Sequence, residues 1–128
     1  MGYFKERKRA KELEDTYNKI VEAKKNIDKK LADGKNIDAE KICNDCEEIL
    51  KMIDSAKVIV NEDLKKSGEV LANAWFGARD ALAYEYDIHK KRLEVLEKYS
   101  AEVSKKKEEM IEKAVKKETS QQESQMGQ

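Results

Sequence analysis

Apolar residues recur along this chain at alternating spacings of three and four, in three long stretches separated by two short interruptions. That spacing is the a/d pattern of a heptad repeat, which puts the apolar positions on one seam of a helix. The first stretch, residues 3–32, carries Ala10, Leu13, Tyr17, Ile20, Lys24, Ile27 and Leu31, with mostly Lys, Glu, Asp and Asn between them. About 30 helical residues make a rod roughly 45 Å long. Lys24 falls on the seam. It reads as a snorkelling stem at the seam's edge, or as a register-setting residue paired with an acid on a partner helix.

Asp33-Gly34-Lys35-Asn36 interrupts the pattern. Glycine just past a periodic stretch is a usual helix stop, because it takes the left-handed conformation without strain. Asn36 or Asp38 can cap the next helix, and Asp38 and Glu40 suit its positive end. So short a connection predicts antiparallel neighbours. The second helix is predicted over 38–74, with a seam of Ile42, Cys46, Ile49, Ile53, Ala56 and Val60, then Leu64 and Leu71. The repeat slips by one residue after Val60, and Ser67-Gly68 in the slipped part marks a kink or a close helix approach. Val58, Ile59 and Val70 widen this apolar stripe beyond one seam.

A third helix is predicted over 78–117, with Leu82, Tyr86, His89, Leu93, Leu96, Ser100, Val103, Lys107, Met110 and Ala114 in heptad spacing and Ile88, Val95 and Tyr99 beside them. Its seam turns polar toward the end, so fraying is expected after Met110. Residues 118–128 have almost nothing to bury and read as a disordered tail. Between the second and third helices a bend is predicted at residues 75–77, on the strength of Gly77. No Ser, Thr, Asp or Asn stands directly before Ala78 to cap a new helix, so one continuous helix over 38–117 is the alternative. The fold class is all-α: an elongated antiparallel bundle of three long helices forming a single domain, residues 1–117, with a disordered tail.

Composition agrees with this pattern. Charged residues make up 42%, there is no proline, and aromatics are only 6%, as in long helices and coiled coils. The core is then a thin aliphatic seam, and such bundles often gain stability from a partner's helices. No apolar run reaches the roughly 20 residues of a membrane span. The basic N-terminus has no apolar segment after it and does not read as a secretory signal peptide. The expectation is synthesis in the cytoplasm, and departure from the cell, if any, by a route needing no cleaved signal. Twenty-seven basic residues balance 27 acidic ones, which argues against general nucleic-acid binding. The cluster at Lys5, Arg7, Lys8, Arg9 and Lys11 reads as a solvated helix end.

Candidate chemistry is sparse. Cys43 and Cys46 have metal-ligand spacing, but zinc needs four ligands, and the only histidine is His89. Both cysteines lie within a turn of the seam and read as structural thiols. His89 falls on the third seam with no catalytic partner indicated. No nucleophile motif or phosphate loop is visible, so the expectation is a protein with no catalytic residues, no metal and no cofactor. The aromatics Trp75, Phe76, Tyr84 and Tyr86 concentrate apolar area in a chain that otherwise has little. They read as the best-packed end of the bundle, part of it open to a partner as an interface hot spot.

Trp75-Phe76-Gly77 fits the pattern Trp-x-Gly between two amphipathic helices, and so resembles the WXG-type small helical proteins of type VII secretion. Ala78-Arg79-Asp80-Ala81-Leu82, followed by Tyr84 and Tyr86, is similar to a related group, the small helical partners of LXG-domain toxins of Gram-positive bacteria. The resemblance spans roughly residues 50–115. It implies that Leu71, Trp75, Phe76, Gly77, Leu82, Tyr84 and Tyr86 bind another helical protein, an LXG-type toxin's N-terminal region, with a second small helical protein as a further partner. It implies an adaptor or chaperone that readies the toxin for export. The superfamily's export signal, Tyr-x-x-x-Asp/Glu, is absent from this sequence, so the partner would supply it. The alternative function is a self-associating coiled-coil structural or scaffold protein, for example of phage origin.

Overall fold

A computed structural model describes residues 2–34 and 37–126, with side chains over 7–34 and 37–117. Its elements are α1 (Gly2–Asp33), α2 (Ala39–Ala72), a single 3₁₀ turn (Phe76–Ala78) and α3 (Arg79–Met126). The three helices form an up-down-up bundle. Arg9 of α1 pairs with Glu62 and Lys30 with Asp45, so α1 and α2 are antiparallel. Tyr17 bonds to the Arg92 carbonyl and Lys24 to Glu102, so α1 and α3 run in the same direction. Cys43 meets Lys107, and Gly68 meets Tyr86, which makes α3 antiparallel to α2.

The core is centred on α2. Its predicted seam residues Ile42, Cys46, Ile49, Ile53, Ala56 and Val60 are all buried. On α1 and α3 only every seventh residue is buried: Leu13, Ile20 and Ile27 on one, Leu96, Val103 and Met110 on the other. The reason is geometric. The middle helix has neighbours on both sides and buries both rows of its heptad, whereas an outer helix buries one. The second row of α1 faces α3 at its edge. There Tyr17 donates to the Arg92 carbonyl at 2.8 Å, and Lys24 pairs with Glu102 with its ammonium 3.9 Å from the centroid of the Tyr99 ring. The acid that answers the seam lysine is therefore intramolecular. Of the surplus stripe, Ile59 and Tyr99 pack against the core, while Val58, Val70 and Val95 stay exposed.

α1 stands further off than α2 and α3 do from each other, and ion pairs bridge much of the gap. Arg9 Nη2 lies 2.8 Å from Glu62 and donates to the Ile59 carbonyl at 3.3 Å. Its Nε lies 3.2 Å from Asp63 without the alignment of a hydrogen bond. Lys30–Asp45 and Lys106–Asp28 complete the set.

The first connection matches its prediction. Gly34 has φ 65°, and the Asp38 side chain accepts from the Lys41 amide at 3.2 Å as the cap of α2. Asn36, the other candidate cap, lies outside the described residues. The second connection is a true bend, so the continuous-helix alternative over 38–117 does not hold. Its cause differs from the prediction. α2 ends at Ala72: the Asn73 amide still makes the helical bond to the Glu69 carbonyl, but Asn73 takes φ −99° and ψ 5°, its side chain folds back onto the same carbonyl, and the Ala74 amide closes a tighter turn on Leu71. Trp75 is extended, and Ala78 N–H closes the 3₁₀ turn on the Trp75 carbonyl. Gly77 does not adopt a left-handed conformation, since Gly34 alone has positive φ among the described glycines. It is instead overlain by the indole: a Cβ there would stand 2.9 Å from the Trp75 ring. Gly68 interrupts nothing, and α2 runs straight through it with the Tyr86 ring 3.4 Å from where a Cβ would be.

α3 continues past its predicted end at 117, its trace reaching Met126. Met110 is buried against the core, where fraying was expected to begin. Side chains from Glu118 onward, where the disordered tail was predicted, lie outside the described residues.

Candidate functional site

Among the described residues, the bend carries the most exposed large apolar side chains. Phe76 is 93% exposed and Trp75 78%. Neither packs into the core, so the expectation that this end is the best-packed part of the bundle is not met. The reason lies below the bend. The fully buried seam of α2 stops at Val60, and from there to Ala72 no residue is fully buried. The slip in the heptad after Val60 rotates the apolar stripe out of the three-helix core, leaving the upper hairpin with two helices' worth of packing.

The predicted partner-binding residues divide between the two sides of the hairpin. Leu71 and Tyr86, both half-buried, line an open depression of about 570 Å³ with Gly68, Ala72, Ala83 and Arg79. Trp75 and the half-buried Leu82 line another of about 480 Å³, with Val70, Ala74 and Ala78. Phe76 and Gly77 are exposed at the turn itself, and Tyr84, 71% exposed, lines neither depression.

Below the first depression the structure continues in a pattern that the seam analysis caught in part, leaving out Cys43, Leu50 and Lys57. Cys43, Leu50, Lys57, Leu64 and Leu71 form a second heptad row on α2, and every one of them is half-buried. Facing it on α3 is the row Tyr86, Leu93, Ser100 and Lys107, half-buried throughout. Two contacts fix the pairing of these rows: Cys43 Sγ to the Lys107 carbonyl at 3.8 Å, and Lys107 Nζ to Glu47 at 3.0 Å. α1 instead meets α2 through Asp45, Ile59, Glu62 and Asp63, and α3 through Arg92, Tyr99, Glu102 and Lys106. The two half-buried rows thus flank a long shallow groove between α2 and α3 that α1 does not occupy. The signal was present in the sequence as a second seven-residue period running beside the first.

The titratable candidates sit in structural settings. Burial pushes the Cys46 thiol up from its ordinary value, with Cys43 adding to the effect, and both cysteines are free thiols. A raised thiol is a poor nucleophile and a poor ligand. Among the described residues, no cluster of His, Cys, Asp and Glu is placed to hold a metal. His89 is mostly buried beside a pocket of about 250 Å³ lined by Arg9, Leu13, Asp63 and Arg92. Its Nε2 is 4.0 Å from Glu85, its buried Nδ1 has no hydrogen-bond partner, and Ser67 and Lys66 line the same pocket. No helix among the described residues is long and apolar enough to cross a membrane.

No protein-family model matches the chain, and neither a curated protein nor a solved structure is significantly similar to it.

Proposed function

We propose that this protein is a non-enzymatic helical adaptor that seats a long helix of another protein along the α2–α3 groove and against the aromatic bend. The observation that carries this reading is the pair of facing heptad rows, Cys43 to Leu71 and Tyr86 to Lys107, each left half-buried. A heptad row is the shape that accepts an amphipathic helix. Large aromatics at the head of the groove are the side chains that most often dominate such interfaces. The Trp-x-Gly pattern at the bend supports, as the partner, the helical N-terminal region of an LXG-type toxin bound before export, with room for a second small helical protein as a further partner.

The test is a tagged pull-down from the source cell, with retained proteins identified by mass spectrometry. Recovery of one long helical protein joined to a toxin-like C-terminal domain is expected. Trp75→Ala should weaken that complex by about 2 kcal/mol, the scale of an interface hot spot, or about thirtyfold in affinity. Recovery of the chain alone, at a mass above monomer in light scattering, would favour the self-associating coiled coil, for which the sustained heptads and balanced charge also speak.

A further inference from the structure

Lys57 is the one charged residue in its row for which the fold provides no acid. It stands midway along Cys43, Leu50, Lys57, Leu64 and Leu71, half-buried, with a leucine seven residues to either side. Among the described residues, no carboxylate lies within 4.0 Å of its ammonium. Two other lysines on half-buried stretches of heptad rows, Lys24 and Lys107, are both answered. Lys24 is held by Glu102 and the Tyr99 ring, and Lys107 by Glu47. The half-burial of Lys57 is that of the residue, and its ammonium is not among the buried unpartnered atoms of the bundle. A helix laid over this row would cover that charge. A covered charge gains from a partner of opposite sign, and a lone polar residue on a heptad row sets the register of what docks there.

Building on the adaptor reading above, we propose that the α2–α3 groove selects a helix bearing a carboxylate at the core position that meets Lys57. Apolar residues one heptad to either side of that carboxylate pack on Leu50 and Leu64. The groove then specifies sign and register as well as hydrophobicity. A helix with leucine at that position leaves the ammonium covered and unpaired. A helix with lysine there sets two like charges against each other. A helix with Asp or Glu, shifted by one heptad, places its carboxylate against Leu50 or Leu64 and loses the pair. Discrimination by an unpaired charge is a usual way for heptad surfaces to reject wrong partners.

The probes are three synthetic four-heptad amphipathic peptides, identical except for Glu, Gln or Lys at one central core position. Each is fluorescently labelled and titrated against the full chain by anisotropy. Wild-type protein should bind the Glu peptide about tenfold more tightly than the Lys peptide, with Gln between them. Lys57→Glu should invert the order, and Lys57→Met should abolish it while retaining binding. Circular dichroism on both variants checks that the bundle is intact. Equal binding of all three peptides, or an order that ignores residue 57, would overturn the charge selection and leave the groove reading standing. Binding of none would overturn both.

Discussion

Tyr17 shows how one side chain couples the outer helices. Its hydroxyl crosses from α1 to the Arg92 carbonyl of α3, and burial of the ring pushes its phenol up to about 12 from an ordinary 10.0. The unfolded chain therefore loses this proton at lower pH than the folded one. The contribution is fully present below pH 10.0 and is lost as pH rises toward 12. Tyr17→Phe should cost about 1 kcal/mol at neutral pH, the net worth of one hydrogen bond. It should also flatten the loss of stability on the alkaline side, and urea unfolding at several pH values measures both. On the acid side the sign reverses. Hydrogen bonds from Lys24 and Lys107 hold Glu102 and Glu47 below the ordinary carboxylate value of 4.5. Their contribution is present above pH 4.5 and disappears as pH falls through the folded values. Glu102→Gln should therefore lower stability near neutrality and make the acid limb shallower.

At the scale of the element, the glycines separate what terminates a helix from what merely sits in one. Gly34, at φ 65°, stops α1, and an alanine there is forced into the left-handed region. Gly34→Ala should destabilise the bundle by about 1 kcal/mol. Gly68 lies inside α2, and the Tyr86 ring stands at ordinary contact distance from the added methyl. Gly68→Ala should therefore stabilise the chain by about 0.5–1 kcal/mol in thermal or urea unfolding. A loss of stability would show that the ring cannot yield. Gly34 and Asp38 were legible as stop and cap because their chemistry is local. Gly77's role was not read correctly: the bend starts at Asn73, which leaves the helical dihedrals and lets the Ala74 amide turn onto the Leu71 carbonyl, while Gly77 makes room for the indole. The seam of α2 was legible residue by residue from Ile42 to Val60, where both of its rows are buried. Those of α1 and α3 were only half legible, since periodicity marks a face without saying how many neighbours cover it. For the same reason Trp75 and Phe76 could be placed at the bend from sequence, while their exposure could not. That exposure depends on how the seam of α2 drifts out of the core after Val60.

The whole molecule has more surface than its size requires. A compact monomer of 14.8 kDa exposes about 7,000 Å², against 9976 Å² here. Packing is unequal along the bundle. The middle of α2, from Ile42 to Val60, is enclosed on both sides, whereas the upper hairpin between Leu64 and Tyr86 has no fully buried residue. Local opening follows such differences in buried contacts, so the two regions should exchange amide hydrogens very differently. In the isolated chain, amides of residues 46–60 should be the slowest to exchange, and those of residues 64–72 and 79–86 should be orders of magnitude faster despite being helical. A helix seated in the groove covers the Leu64, Leu71, Tyr86 and Leu93 side chains and stabilises the bound form in proportion to its saturation. Protection should then rise in the upper hairpin and along the outer rows of α2 and α3, while the exposed face of α1 keeps its free-state rates. Protection gained on α1 instead would place the partner on the other side of the bundle. A uniform rise across all three helices would mean that the partner acts on the global unfolding equilibrium, with no preference for the groove.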